Sequence, residues 1–315
     1  MNWKTKSLIQ RICSALPVGR EEAYYFLQRN FGELRYPPDP LPMLKSAAEI
    51  FTELHDDNIR IQGRRVMEVG TGRRIDMPLA FFLSGAESVK TVDLNRYLKP
   101  ELALASARKM AENRDAIVKA FSAIAEPGEI HRRLDSIAGA ASFDELLRKT
   151  NIEYHAPADA TKTSFGDGTI DLQFSFTVFE HIPSEVLVGI LKEFNRLASP
   201  EGIACHHVDL SDHFSHADKS IGPINFLQFE EEDWENINSN QFAYHNRLRV
   251  TGYESVYSEA RHELVRWKTY NNEASLAEIK NGFQLAKQFQ GIDPKILTTT
   301  ALRVFSKAAA KKDTI

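Results

Sequence analysis

Two glycines and an acidic residue stand at the spacing with which an α/β fold binds a nucleotide-containing cofactor. Residues 64–74 read Arg-Arg-Val-Met-Glu-Val-Gly-Thr-Gly-Arg-Arg, which predicts a short apolar strand, a glycine turn and the start of a helix. Gly70 and Gly72 let the main chain approach a ligand, and the free N–H groups of the following helix face it. Asp93 follows about 20 residues later, where a carboxylate accepts hydrogen bonds from ribose hydroxyls.

The residues around the glycines indicate which cofactor this is. A dinucleotide site needs a third glycine beneath the pyrophosphate, but Arg74 stands there, and Glu68 opens the loop. An acid is unfavourable beside a pyrophosphate and tolerated beside an ammonium or sulfonium group. The pattern therefore favours S-adenosylmethionine (SAM), which has a ribose and a sulfonium but no phosphate, over a nicotinamide or flavin cofactor.

Five motifs in order give the chain a family resemblance over roughly residues 60–210. Residues 66–72, Asp93, the pair Asp159-Ala160, residues 171–182 with their Glu-His ending, and residues 197–202 resemble the successive motifs of class I SAM-dependent methyltransferases. The resemblance implies SAM as the cofactor and an acid, Asp159, that meets the adenine amino group. The cofactor-binding residues that it predicts are Glu68, Gly70, Thr71, Gly72, Asp93, Leu94, Asp159, Ala160 and Phe176.

The order of apolar segments predicts an α/β fold with a Rossmann-like, doubly wound sheet of seven strands. Residues 1–60 are predicted to form a helical N-terminal cap, with helices near 4–15, 20–30 and 42–59. Residues 61–315 form the predicted SAM-binding domain, with helical insertions near 97–150 and 211–260. The first insertion either covers the active site as a lid or is a helical addition with no role in the reaction. The last two strands, near 262–269 and 297–306 with a helix near 275–290 between them, resemble the family's final antiparallel pair.

Candidate catalytic residues follow the predicted fourth and fifth strands, at the edge where open α/β sheets bind ligands. Methyl transfer requires alignment of the acceptor and, for many acceptors, removal of a proton. His213 is the predicted base, oriented by Asp212 or Asp209, and His181 is a second candidate. The same segment offers oxygen and imidazole ligands for a divalent metal, but its spacing matches no defined metal motif, so none is predicted.

The second insertion suggests the acceptor. It is rich in aromatic and amide side chains, which suit a sugar or another polar ring but can equally form the insertion's own core. Its Asn-Arg-Leu-Arg run and the earlier Asp-His-Phe run resemble bacterial methyltransferases of surface-polysaccharide pathways. We therefore predict methylation of oxygen or nitrogen on a small polar acceptor, with a sugar, a glycan terminus or a lipid-linked sugar as candidates. A nicotinamide-dependent oxidoreductase and a non-catalytic SAM-binding protein are the alternatives.

Composition narrows the class of protein further. The 315 residues carry a net charge of −4, which argues against nucleic acid as a partner. The two cysteines, Cys13 and Cys205, predict reduced thiols and a cytoplasmic protein. Apolar residues at helical spacing between Leu8 and Leu16 predict a packed N-terminal helix, with membrane-surface contact as the alternative. The sequence does not define the oligomeric state.

Overall fold

The sheet of the protein contains all seven predicted strands. In a computed structural model, the described residues are 1–32, 34, 36–238, 240 and 242–308, so the predicted domain's last residues, 309–315, lie outside them. The strand order is β3-β2-β1-β4-β5-β7-β6. The strands are β1 (Arg65–Val69), β2 (Ser88–Val92), β3 (Ile152–His155), β4 (Ile170–Phe176), β5 (Ala198–Asp209), β6 (His262–Asn271) and β7 (Thr299–Ala308).

Helices separate most of the strands, as a doubly wound sheet requires. The predicted α/β class and seven-stranded sheet are thereby confirmed. The helices are α1 (Trp3–Ser14), α2 (Arg20–Phe31), α3 (Leu41–Asp56), α4 (Asp76–Leu83), α5 (Pro100–Glu112), α6 (Arg114–Phe121), α7 (Pro127–Ala138), α8 (Phe143–Thr150), α9 (Ser184–Leu197), α10 (Phe214–Ala217), α11 (Glu231–Asn238), α12 (Val250–Glu259), α13 (Glu273–Lys280) and α14 (Pro294–Leu297). Short 3₁₀ helices cover Phe179–His181, Asn225–Gln228 and Lys287–Phe289.

The chain forms two compact units. The first comprises Met1–Phe31, Ser175–Lys192 and Ala204–Ile315, of which the structure describes residues up to 308, and the second comprises Gly32–Phe174 and Glu193–Ile203. The three helices of the predicted cap are divided between them, because α1 and α2 belong to the first unit and α3 to the second. The division of the chain at residue 60 stays a prediction.

The second unit is built on buried parallel strands. β1 pairs in parallel with both β2 and β4, so its apolar side chains are covered and only Arg65 is partly exposed. The Arg65 guanidinium forms two hydrogen bonds with the Asp171 carboxylate, Nε to Oδ2 at 2.9 Å and Nη2 to Oδ1 at 2.8 Å. Hydrogen bonds from Arg65 outweigh the opposing effect of burial and hold the pKa of Asp171 well below its usual range.

Replacing Asp171 by asparagine is expected to lower the free energy of unfolding at pH 7 by about 1–2 kcal/mol, because the charged hydrogen bonds are lost. A carboxylate with a depressed folded-state pKa stabilises the fold above its unfolded value of about 4, and this contribution disappears as the pH falls further. Urea titrations between pH 7 and pH 3 should therefore show the difference shrinking with acid. Glu153→Gln, which breaks an exposed pair with Lys90, is the control, and a deficit as large there would contradict the assignment.

The first insertion is a set of four helices, α5 to α8. α7 buries Ile130, Leu134 and Ile137, spaced four and three residues apart, and packs on α5 and α6. Ser142 caps α8 by accepting from the Glu145 N–H at 3.2 Å. The insertion therefore has its own apolar interfaces, and its predicted helical character is confirmed; whether it acts as a lid stays a hypothesis.

The first unit contains the antiparallel end of the sheet. β7 lies between β5 and β6 and pairs antiparallel with both. The predicted helix near 275–290 is shorter, because α13 ends at Lys280 and only a 3₁₀ turn follows before α14. No helix in the described part of the chain is long and apolar enough to cross a membrane. Cys13 and Cys205 are both buried thiols.

Candidate functional site

The glycine turn of the second unit is fixed to the end of β2. Gly70 and Gly72 have φ angles of 89° and 65°, a region that a side chain disfavours. The Gly70 N–H donates to the Val92 carbonyl at 2.8 Å, and the Gly72 N–H donates to Asp93 Oδ2 at 2.9 Å. A Cβ atom added at Gly72 would meet no atom within 4 Å, so open space lies against the turn. The turn has the shape that a closely approaching ligand needs.

Asp93 offers a carboxylate beside this turn. Its Oδ1 accepts the N–H of Asn95 at 2.9 Å, while Oδ2 accepts that of Gly72. Burial raises the pKa of Asp93, although the hydrogen bonds from Asn95 and Gly72 oppose the shift. Each carboxylate oxygen retains a further lone pair, so the two oxygens are able to accept two hydroxyl hydrogens of a ribose.

Glu68 lies inside the sheet and does not project into the open space. It is 4% exposed, and its Oε2 accepts the hydroxyl of Thr91, which also contacts the Thr71 hydroxyl at 2.5 Å. Burial raises the pKa of Glu68 to about 8, and the charges of Asp93 and Asp76 add to this against the hydrogen bond from Thr91. Glu68 is therefore largely uncharged near neutral pH and supports the loop from below.

The free energy of unfolding of the native protein is expected to fall between about pH 4.5 and pH 8 because of Glu68. Replacing Glu68 by glutamine should abolish this fall. Within this range the folded protein holds a proton that the unfolded chain has released, so the free energy of unfolding falls as the pH rises. For a shift of this size the fall is on the order of 5 kcal/mol. Urea titrations across the range measure it, with Glu232→Gln on the exposed side of α11 as the control. Parallel curves for Glu68→Gln and the native protein would contradict the prediction.

The arginine in place of the third glycine has a partner at the start of α4. Arg74 Nη2 lies 2.8 Å from Asp76 Oδ2, and Arg74 Nη1 donates to the Asp39 carbonyl at 3.2 Å. Asp76 is buried at the first turn of α4, where a negative charge is favourable. Arg74 thus links the first turn of α4 to the segment that contains Asp39.

The remaining predicted cofactor residues have different settings. Leu94 is 69% exposed beside Asp93. Asp159 is exposed, and its Oδ1 accepts hydrogen bonds from the N–H and the hydroxyl of Thr161 at 2.8 and 2.7 Å. Ala160, between these two residues in the sequence, is half-buried. The Ala158 N–H donates to the Asp93 carbonyl at 2.9 Å, which joins the two loops. In the first unit, Phe176 stacks on His207 with ring centroids 5.0 Å apart.

The first unit gathers four histidines and two carboxylates, which we term the histidine–carboxylate cluster. His213 is central: its Nε2 lies 3.4 Å from Asp209 Oδ2 and 3.9 Å from Glu180 Oε1. Rings of three other histidines lie around it, with centroids 4.8–5.1 Å from that of His213. The members of the cluster are Glu180, His181, Asp209, His213, His216 and His245.

The structure distinguishes between the two aspartates predicted to orient His213. Asp212 is 1% exposed, and its carboxylate accepts from the Phe214 N–H at 2.8 Å and from the Asn225 amide at 2.9 Å. It therefore serves to position the loop around α10. Asp209, at the end of β5, is the aspartate whose carboxylate faces His213.

Burial and the charges of neighbouring side chains shift the pKa values of several members of the cluster. Burial would raise the pKa of Asp209, but hydrogen bonding and charge from His213, together with Ser211, hold it well below its usual range. Burial, and then the charge of Asp209, raises the pKa of Glu180 well above its ordinary value. Desolvation, and then repulsion from His213, lowers the pKa of His181 to about 4, although this residue keeps an exposed surface. The buried ring of His245 is likewise kept neutral.

The second insertion holds the loop after β4 in place. The Asn246 N–H donates to the Glu180 carbonyl at 2.8 Å, and its side-chain amide donates to the carbonyls of Phe179 and Ile182. His181 Nδ1 donates to the Tyr244 carbonyl at 2.8 Å. Sequence reasoning did not include Glu180 or His245 among the site residues. The Glu-His ending of the β4 motif was a signal for the former, whereas nothing local indicated the latter.

The aromatic residues considered for sugar contact are mainly core. Phe226 and Trp234 are 0% and 4% exposed and belong to one apolar cluster with Phe214 and Phe289. Arg247 is buried against Trp234 and donates to the carbonyls of Phe226 and Phe229. The interpretation as the insertion's own core therefore applies to them.

Comparison with known proteins finds a family match for part of the chain. Residues 122–206 match the sequence model of the methyltransferase domain family. A search of curated proteins finds no match.

Solved structures give weaker likenesses. A proposed sarcosine dimethylglycine methyltransferase from Galdieria sulphuraria is 12% identical over 84% of this chain and 86% of its own, with a TM-score of 0.46. Geranyl diphosphate C-methyltransferase from Streptomyces coelicolor is 12% identical over 95% of this chain and 88% of its own, with a TM-score of 0.44. A proposed methyltransferase from Bacillus halodurans is 13% identical over 82% of this chain and 98% of its own, with a TM-score of 0.43.

The family match and the sheet order together define a class I methyltransferase fold. The match of residues 122–206 to the methyltransferase domain model agrees with the class that the five sequence motifs predict. The prediction made from the five motifs is thereby confirmed at the level of fold, and the partial family match supports the predicted class.

Proposed function

We propose that the protein transfers the methyl group of SAM to an oxygen or nitrogen atom of a small polar acceptor. The observation that carries this proposal is the histidine–carboxylate cluster at the ends of β4 and β5, where parallel α/β folds bind ligands. A sulfonium is already activated, so the protein's tasks are to align the acceptor and to accept its proton.

His213 is the proposed proton acceptor. Its side chain is 27% exposed and is therefore open to a ligand, and Asp209 lies close enough to stabilise the imidazolium that forms. His181 presents another accessible imidazole of the cluster, with its Nδ1–H held by the Tyr244 carbonyl. The acceptor's proton moves to His213 as its oxygen or nitrogen bonds to the methyl carbon, and the electron pair of the broken carbon–sulfur bond stays on sulfur.

For the cofactor we propose the residues of the second unit. Asp93 would accept the ribose hydroxyls, the turn at Gly70, Thr71 and Gly72 would lie against the amino-acid portion, and Asp159 would meet the adenine amino group. The two hydrogen bonds that hold the Asp93 carboxylate toward the turn support this assignment.

The acceptor class is proposed as a hydroxyl-bearing polar molecule, with sugars, glycan termini and lipid-linked sugars as the first to screen. Burial of the insertion's aromatic rings removes one argument for sugar stacking, so this choice depends on the resemblance of the Asp-His-Phe and Asn-Arg-Leu-Arg runs. Cytoplasmic location stays a prediction. For a lipid-linked acceptor, α1 provides a candidate membrane contact, since Leu8 and Ile12 are 50% and 57% exposed.

Calorimetric titration with S-adenosylhomocysteine, and with NAD in parallel, tests the cofactor. Binding of the former alone is expected; binding of NAD alone would favour the oxidoreductase alternative. Methyl transfer from labelled SAM to a panel of sugars, amines and carboxylates then tests catalysis. Binding without turnover on any acceptor would favour a non-catalytic SAM-binding protein.

A further inference from the structure

Glu180 is a buried carboxylate without a hydrogen bond of good geometry in the described part of the chain. The residue is 0% exposed, and among the described residues its two oxygens have no hydrogen-bond partner of good geometry, although the backbone N–H groups of Glu180 and Asp209 act on them. A buried carboxylate without a partner is costly and is usually paired with a cation. His213, which can carry a positive charge, has its Nε2 3.9 Å from Glu180 Oε1.

The nitrogens beside this carboxylate have the chemistry of metal ligands. His181 donates its Nδ1–H to the Tyr244 carbonyl, which fixes the tautomer that leaves a lone pair on Nε2. Histidine ligands of metals are held in this way by a backbone carbonyl. His213 Nε2 likewise has no hydrogen bond of good geometry in the described part of the chain, although two carboxylates converge on it.

The three side chains also lie within reach of one cation. Each side chain offers one ligand atom, and these three atoms, from Glu180, His181 and His213, all lie within 4.8 Å of one another. With metal–ligand bonds of about 2.1 Å, ligand atoms of a tetrahedral or octahedral site are roughly 3.0–3.5 Å apart. Small side-chain rotations, contracting the longest separation by roughly 1.5 Å, would therefore bring the three groups into coordination.

We propose that Glu180, His181 and His213 form a binding site for a divalent transition-metal cation, of the two-histidine, one-carboxylate type. This donor set suits Mn²⁺, Fe²⁺, Co²⁺ or Zn²⁺ rather than Mg²⁺, which prefers oxygen ligands alone. Asp209, whose Oδ2 lies 3.4 Å from His213 Nε2, adds negative charge next to the site. Three protein ligands leave coordination positions open for an oxygen atom of the acceptor.

His245 is excluded from the ligand set by its hydrogen bonding. Its Nδ1 accepts the Arg247 N–H at 3.3 Å, so in the neutral ring the proton is on Nε2 and no lone pair remains there. His216 directs its Nε2 toward Ser211 and Asp209, at 3.1 and 3.5 Å. It therefore serves as a matched control within the same cluster.

The inference extends the proposed function, but the binding of a cation is measurable without SAM and without an acceptor. While its Nε2 lone pair binds a cation, His213 cannot act as a base, so occupancy of the site decides which role it has. A failure to bind cations would leave the SAM-binding and turnover measurements unaffected. Loss of turnover would equally leave cation binding to be measured by itself.

The test is titration of the full-length, chelator-treated protein with Mn²⁺, Co²⁺ and Zn²⁺ separately, by calorimetry and, for Co²⁺, by its visible absorption. One cation per chain is expected. Glu180→Gln and His213→Asn should each weaken binding at least 100-fold and change the Co²⁺ spectrum. His216→Asn, and Glu153→Gln beside His155 on the surface, should bind within threefold of the native protein.

Two outcomes would overturn the proposal. One is the absence of stoichiometric binding of all three cations to the native protein. The other is unchanged affinity and spectrum in both Glu180→Gln and His213→Asn, which would put the cation elsewhere. Circular dichroism checks that each variant is folded, and His181→Asn replaces Glu180→Gln if the latter is not.

Discussion

Replacement of Asp93 by alanine is expected to weaken the binding of S-adenosylhomocysteine on the order of 100-fold or more. A hydrogen bond to a charged group contributes about 1.5–3 kcal/mol, and the carboxylate has a free lone pair on each oxygen for a ribose hydroxyl. The substitution also removes the acceptor of the Gly72 N–H, which holds the glycine turn toward the end of β2. Both effects act on the affinity for the cofactor.

Calorimetric titration measures this loss directly. Asp135→Ala, which removes an exposed carboxylate paired with Arg114 on α6, is the control and should bind as the native protein does. Asp93→Asn retains one acceptor oxygen and should have an intermediate affinity. If Asp93→Ala bound within threefold of the native protein, the ribose would have to be held by other residues.

Replacement of His213 by alanine is expected to reduce kcat by a factor on the order of 100 to 10,000, the range for general acid–base catalysis. The affinity for S-adenosylhomocysteine should stay within about threefold of native, because the cofactor groups proposed here belong to other segments. Initial rates with labelled SAM and an acceptor found by screening measure the first quantity, and calorimetry measures the second. Equal loss of both would exclude a specific role in turnover.

A further measurement separates a base from a metal ligand. Imidazole added to His213→Ala should restore part of the rate if the missing group is a proton acceptor, and this rescue should persist in the presence of a chelator. His155→Ala, which replaces a half-buried histidine at the end of β3, is the control and should have native turnover. No effect of His213→Ala on kcat would contradict the role of the residue as proton acceptor.

The sequence predicted the fold well because its signals are local and repeated. Strand–turn–helix patterns such as that around Gly70 and Gly72 occur in a fixed order, and each is formed by neighbouring residues. The antiparallel pair of β6 and β7 followed from the family resemblance. The helix predicted near 275–290 was too long, because Gly282 takes a φ of 91° just after α13 and ends the regular structure.

The site was less predictable because burial and long-range contacts determine it. Spacing identified Asp93, but it did not show that Glu68 lies inside the sheet bonded to Thr91. Between Asp209 and Asp212, only the structure shows which one faces His213. The contacts of His245 and of Asn246 with the loop after β4 join residues more than 60 positions apart, a relation that a single sequence does not contain.

The position of β7 between β5 and β6 has a consequence for biosynthesis. Thr299–Ala308 is the strand synthesised last of the seven, yet it fills an interior place, so a nascent chain lacking it exposes the unpaired edges of two strands at once. Open edges of this kind recruit strands from other molecules. Chains truncated before Thr299 should therefore aggregate, and the ribosome-bound intermediate is expected to be a client of molecular chaperones until this last strand emerges.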